Sequence, residues 1–576
     1  MIDDARTLPA GATLETELCI VGAGAAGITL ALACAEAGLR VLLLESGGFD
    51  AEPETQALYA GAVAGPALHS PPDTYRVRRF GGSTTLWGGR CVPFDPIDFE
   101  RRPWMAESGW PISHADLLPY YPAANALCEA GDFAYTAKAA FPAGMRALIP
   151  GFASDFFTSD TLERFSCPTD FGRRYRHRLA ASRAIRVLLH ANVVGIETTP
   201  DGATVRSLTA RALDRPAFQV RARLFVLAMG GLEIPRLLLA CRDTQAEGIG
   251  NAHGLLGRHY MCHIAGTLGA LRLAAPAATI WHGYQISDDG IYCRRRLALT
   301  EAAQRRLGIG NCIIRLHHPR IPDPAHRTGA LSAIYLARRW ISYEYGKRLA
   351  GGEPETRALW LRHARNIAAD AGGVAGFALH WLRRRVLAER KFPSVIIRPR
   401  SNVFSLDIHA EQEPNTLSRV TLTRETDRLG LPRLRVDWRH TAEDLRTVSA
   451  TVAALAEAIA SGGHGQLAYD PEEIAAAMLR DGAYGGHHLG TARMAASPRQ
   501  GVVDANCRVH GMHNLYLAGG AVFATSSQAN PTLTIVALAL RLADRLRQAL
   551  RGGIRLEAAT QPAPARRTET AAPCPG

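Results

Sequence analysis

The stretch Glu17–Glu45, ELCIVGAGAAGITLALACAEAGLRVLLLE, decides the fold. Apolar Leu18–Val21 runs into a glycine cluster, Ile28, Leu30, Leu32 and Ala33 follow at helical spacing, Gly38 stops the helix, and Val41–Leu44 is a second apolar run. Strand, helix and strand in under thirty residues make a βαβ unit with a buried parallel pair. Gly22, Gly24 and Gly27 have the spacing at which the first glycine makes a tight turn and the second lets backbone approach a pyrophosphate. The third lets helix and strand pack closely, and the anion then sits at the positive end of the helix. Glu45, at the end of the second strand, can accept from ribose hydroxyls, where an NADP site would favour arginine.

That unit alone does not choose between FAD and NAD. The C-terminal run does. Asn514–Gly520 (NLYLAGG) reads as a strand ending in small residues, Gly519 among them, and Asn530-Pro531-Thr532 opens a helix with a favoured cap and a favoured first residue. A helix N-terminus there would stabilise negative charge on a reduced flavin, a need that nicotinamide lacks. In the same run, His487 is suited to alcohol oxidation, because a neutral imidazole can take the hydroxyl proton while a flavin takes the hydride. Asn530 can donate an N–H to the substrate oxygen without competing for the proton.

Elsewhere, Arg79–Arg90 (RFGGSTTLWGGR) is a glycine-rich loop, a helix starts near His114, and Leu224–Ala228 is a buried strand entering Gly230-Gly231. Alternating signals between about 261 and 440, such as 418–423 and 434–438, predict a separate antiparallel sheet. The expected fold is thus α/β with α+β: a Rossmann-like FAD domain on a parallel sheet, interleaved with an antiparallel-sheet substrate domain. The boundaries expected are 1–110, 171–262 and 481–552 for the FAD domain, 111–170 as a connection and 263–480 for the substrate domain. Residues 553–576, rich in Ala, Pro and Thr, read as a disordered tail.

With 576 residues, 47% of them hydrophobic and 21% charged, the chain is large enough for two cores and has no apolar run of bilayer length. The first residues lack the pattern of a secretory signal, so a cytoplasmic protein is expected. Eleven cysteines without a Cys-x-x-Cys pair argue for free thiols and against a zinc or c-type haem site, and no metal is expected. Cys91 reads as packing. The net charge of +13 is concentrated: residues 334–391 hold twelve Arg and Lys against five acids. No nucleic-acid motif accompanies them. With Trp340, Trp360 and Trp381, this segment offers a peripheral contact to the inner face of a membrane or to a protein.

Residues 17–50, 79–132, 224–263, 402–440 and 484–546 together resemble the glucose–methanol–choline (GMC) oxidoreductases. The resemblance implies that His487, in His487-His488-Leu489-Gly490, is the catalytic base and that Asn530 stands opposite it, with His488 the weaker candidate. It implies that Gly81–Gly89 covers the flavin, with Gly82, Ser83 and Thr84 in contact. In some members a histidine of this loop bonds the flavin covalently; Leu86 holds that register here, so non-covalent FAD is expected. HHLGTARM and NPTLT look most like the pyranose-oxidase-like and bacterial sugar or polyol dehydrogenase branch. The activity implied is FAD-dependent oxidation of a sugar, polyol or glycoside hydroxyl, by a dehydrogenase rather than an oxidase, with a quinone, cytochrome or oxygen as electron acceptor. The alternatives are a lipophilic alcohol substrate, or a flavoprotein subunit that mainly passes electrons to a membrane partner.

Overall fold

The structure, a computed structural model, describes residues 1–338, 356–394, 396–480 and 486–551. The segment 553–576 expected as a tail lies outside the described residues, as do 339–355 of the basic segment.

The predicted βαβ unit forms as Thr13–Val21, Ala25–Glu36 and Val41–Leu44. It lies in the middle of an eight-stranded sheet. Ile2–Asp4, Ile185–Leu189, Val41–Leu44, Thr13–Val21 and Phe218–Leu227 follow one another in parallel. Phe218–Leu227 is long enough to hold two partners in succession. Its first half pairs antiparallel with Val205–Arg211, and its end pairs in parallel with Leu515–Leu517. The sheet is therefore parallel where the nucleotide motif sits and antiparallel at one edge. Helices Ala25–Glu36 and Thr532–Arg551 pack against each other beside it, in a core that includes Ile20, Leu30, Leu43, Phe225 and Leu533.

A second, fully antiparallel sheet runs Gly465–Ala468, His263–Leu273, Val403–Glu411, Cys312–His317, Leu297–Leu299 and Phe157–Thr158. The hairpin read at 418–423 and 434–438 is not part of it. These strands, Arg419–Thr426 and Pro432–Asp437, form a separate three-stranded sheet with Ala62–Val63. Periodicity reports that a strand is half buried, whereas the sheet it joins is set by long-range packing. On the second sheet, Ile264, Ile314, Leu406 and Ile408 face a second core. Residues of the opposite parity, His263, Ala265, Arg315, His317, Asp407 and His409, face a cavity.

One contact locks the N-terminal half of the chain to this sheet. Arg102 forms a bidentate pair with Glu411, at 2.7 and 2.6 Å, and neither side chain has any exposure. Glu411 also accepts from the Asn311 amide. Removing one partner of such a pair strands a buried charge and typically costs about 3–5 kcal/mol. Arg102→Leu is expected to destabilise the protein by that amount, measured by denaturant unfolding; an unchanged midpoint would contradict this role.

Candidate active site

A cavity of about 720 Å³ runs from the Gly22–Gly24 turn to the second sheet. Gly22 (φ 103°) makes the turn in a left-handed conformation, and a Cβ there would meet the Ala228 carbonyl oxygen at 2.6 Å. Gly27 stays off the cavity, and a Cβ on it would lie 1.8 Å from the Gly22 oxygen, so its part is helix–strand packing. Gly24 differs from both. Its φ is −86°, it caps the helix with no side-chain bond, and a Cβ on it would meet no atom within 4 Å. The protein itself leaves that space, at a helix N-terminus, and a pyrophosphate fits it.

Glu45 lines the cavity and is buried. Its Oε2 accepts from the Ala23 amide (2.8 Å) and its Oε1 from the Gly47 amide (2.9 Å). It therefore braces the glycine turn, a role its sequence position did not reveal, while a carboxylate's four lone pairs leave room for a ribose hydroxyl. Burial pushes its carboxyl up against the pull of those amides. Gly82, Ser83 and Thr84 form a short turn beside Gly24, and Leu86 offers no nucleophilic atom for a covalent link. Gly519, just after strand Leu515–Leu517, and Pro531 and Thr532, at the start of the C-terminal helix, line the same cavity.

At the other end stand His487 and Asn530. Asn530 Nδ2 is 3.2 Å from His487 Nε2, and Asn530 Oδ1 accepts from Arg90 Nη1 at 3.4 Å. Arginine has no acceptor atom, so it turns the amide oxygen towards itself and the NH2 towards the histidine. His487 Nε2 is thereby the acceptor, and the ring's proton lies on Nδ1. That nitrogen is 2.8 Å from His263 Nδ1, which must then accept. Burial first, then His263 and Arg90, hold His487 well below the ordinary imidazole range. Burial likewise lowers His263 to about 4. His409 stacks on His263 at 4.3 Å and donates from Nδ1 to the Gln528 carbonyl at 2.6 Å.

The loop before Asn530 is held as firmly. Ser527 donates to Asp98 (2.6 Å), and Trp110 Nε1 donates to Thr525 (2.8 Å). Burial, with Asp95 and Glu411 close by, pushes Asp98 up to about 8. His488 faces a different set: Nδ1 meets the Tyr260 hydroxyl at 2.6 Å, and that hydroxyl meets His69 at 2.7 Å. Adjacent histidines thus belong to separate networks.

Sequence reading missed His263, His409, Arg90 and Glu45's bracing role. A signal was present for the sheet residues: Arg315-Leu-His317 and Asp407-Ile-His409 put polar pairs at period two, alternating with apolar residues. Arg315 is tied to Glu163 (2.6 Å) and Asp407 (3.3 Å); burial opposes ionisation of Glu163, but Arg315 and Arg90 hold it down to about 2.

Residues 17–341, more than half of the chain, match the family described as FAD dependent oxidoreductase, and residues 414–539 match the C-terminal domain of GMC oxidoreductases. The chain belongs to the FAD-dependent GMC oxidoreductases. Among relatives of this GMC oxidoreductase, 2-methyl-1,2-propanediol dehydrogenase of Mycolicibacterium austroafricanum is 22% identical over 92% of this chain and 95% of that protein. Fructose dehydrogenase large subunit of Gluconobacter japonicus is 24% identical over 94% and 99%. A fungal aryl-alcohol oxidase structure shares the fold at a TM-score of 0.54, with 14% identity over 94% of this chain and all of that one. No helix among the described residues of the GMC oxidoreductase is long and apolar enough to cross a membrane.

Proposed function

We propose that this protein is a dehydrogenase that oxidises a hydroxyl of a sugar, polyol or glycoside to the carbonyl, with His487 accepting the hydroxyl proton and Asn530 orienting the oxygen. The observation that carries the reading is His487 Nε2 facing Asn530 Nδ2 at 3.2 Å, with Nδ1 held by His263. Bound FAD supplies the hydride acceptor. An alcohol oxygen reaching both side chains would take an N–H from Asn530 and give its proton to Nε2. His263 keeps the imidazole in the tautomer whose Nε2 lone pair points towards Asn530, where an inserted alcohol would take the amide's place, and so acts as a positioning residue.

A polyhydroxylated substrate is supported by the cavity wall. Arg315, His317, Asp407 and His409 face the cavity from one sheet face and give it a polar wall, which suits a substrate that carries hydroxyls. The names of the diol and fructose dehydrogenase relatives point the same way. Anaerobic mixing of the yellow protein with sugars, polyols and glycosides should bleach the flavin band, and a quinone analogue should restore it faster than air. Bleaching by long-chain or aromatic alcohols alone would overturn the substrate class, and faster reoxidation by air would overturn the dehydrogenase reading.

The pH profile is a further check. A base works when neutral, and a lowered pKa extends the neutral form to lower pH. The acid limb of kcat/KM for flavin reduction is therefore expected well below 6.5. A limb at 6.5 or higher would mean that His487 titrates as an exposed imidazole and is not the base in this environment.

A further inference from the structure

The helix Ala371–Trp381 (AGGVAGFALHW) carries no charge, and none of its residues is buried. It continues through Leu382–Val386. Leu379, Leu382 and Val386 stand at spacings of three and four, which shares one stripe, and are 48, 46 and 58% exposed; Leu387 beyond them is 70% exposed. Solvated leucines in a row are unusual on a protein that works alone in water. Cations lie among them. From Ala371 to Lys391 the chain holds Arg383, Arg384, Arg385, Arg390 and Lys391 against the single acid Glu389. Arg383, Arg384 and Lys391 are exposed.

The helix Ala371–Trp381 packs on helix Gly329–Leu336, and the segment is fixed again beyond it. Phe392 packs edge-on against Tyr284 (5.0 Å) and Tyr292 (5.6 Å), and Arg385 Nη1 donates to the Phe392 carbonyl at 2.8 Å. Arg385, Pro393 and Ser394 also line the cavity that holds His487 and Asn530. The bare face is thus continuous with the rim of the active site. A second copy of the chain would bring like charges together on this face, and the apolar stripe has nothing to gain from a phosphate backbone. Apolar side chains flanked by arginines match the boundary between acyl chains and acidic headgroups.

We propose that residues 371–387 dock on an anionic bilayer surface and set the cavity rim against the lipid headgroups. The docking rests on no assumption about which alcohol is oxidised. The test is sedimentation of the FAD-loaded full chain with vesicles of phosphatidylcholine containing phosphatidylglycerol, and with phosphatidylcholine alone. Binding is expected only to the acidic vesicles at about 0.1 M salt, and should be lost at 1 M, where the Debye length falls from about 10 to about 3 Å. The double variant Arg383→Gln, Arg384→Gln should weaken binding roughly 25-fold, about fivefold per arginine. Leu382→Asp with Leu387→Asp should weaken it tenfold or more, and both pairs should retain flavin reduction by a soluble substrate. Failure to sediment with acidic vesicles at low salt overturns the proposal. So would equal binding by the leucine variant, or dimerisation of the wild type that the leucine variant abolishes.

Discussion

His487→Ala is expected to slow flavin reduction about 10²–10⁴-fold while FAD stays bound, the usual cost of losing a general base. The size follows from what the alanine leaves behind. Asn530 and Arg90 could still orient an alcohol, but the nitrogen that faces Asn530 would be gone, and His263, which meets the opposite nitrogen of the removed ring, would stand about a ring's width farther off. FAD should remain because Gly22, Gly24 and Glu45, proposed as its cradle, share no hydrogen bond with His487. Rapid mixing with substrate under anaerobic conditions gives the reduction rate directly, and the flavin spectrum reports occupancy. His488→Ala should cost less, since its ring is engaged with Tyr260 and His69 rather than with Asn530. If His488→Ala proved the slower of the two, the base would be the other histidine and the assignment would fail.

How much of this was legible in the sequence depends on distance along the chain. The βαβ unit, the capped helix at His114 and the strand–helix run from Leu515 to Arg551 all rest on local periodicity and punctuation, which a sequence displays. His487 and Asn530, proposed as the catalytic pair, could be read as candidates because each stands in a local motif of the C-terminal run, and the structure puts their side chains 3.2 Å apart. The histidine partners could not: His263, His409 and His487 come from three segments that meet only because strands His263–Leu273 and Val403–Glu411 pair, and because Leu489 bridges to Met261. The same limit explains the hairpin Arg419–Thr426 and Pro432–Asp437. Its alternation was read correctly, but Ala62–Val63, the partner that sets its sheet, lies more than 350 residues earlier.

Gly24→Val is expected to yield a folded protein without FAD, and the separation of those two outcomes makes the test decisive. In most glycine motifs the residue is needed by the backbone or by a protein neighbour, so that a substitution damages the fold and the loss of cofactor is secondary. Gly27 is such a case, with the Gly22 oxygen 1.8 Å from any Cβ. Gly24 is not: its φ of −86° suits any residue and nothing in the chain lies within 4 Å of its Cβ position. A valine there is therefore compatible with the apoprotein and incompatible only with a group seated against the turn. Circular dichroism and the melting temperature of apoprotein should match those of wild-type apoprotein, while the ratio of flavin to protein absorbance falls to background. Gly27→Val should instead lose stability along with FAD. Retention of full flavin by Gly24→Val would move the pyrophosphate away from this helix N-terminus and leave the open space at Gly24 without a purpose, whereas an unfolded variant would show that the turn, not the cofactor, requires glycine.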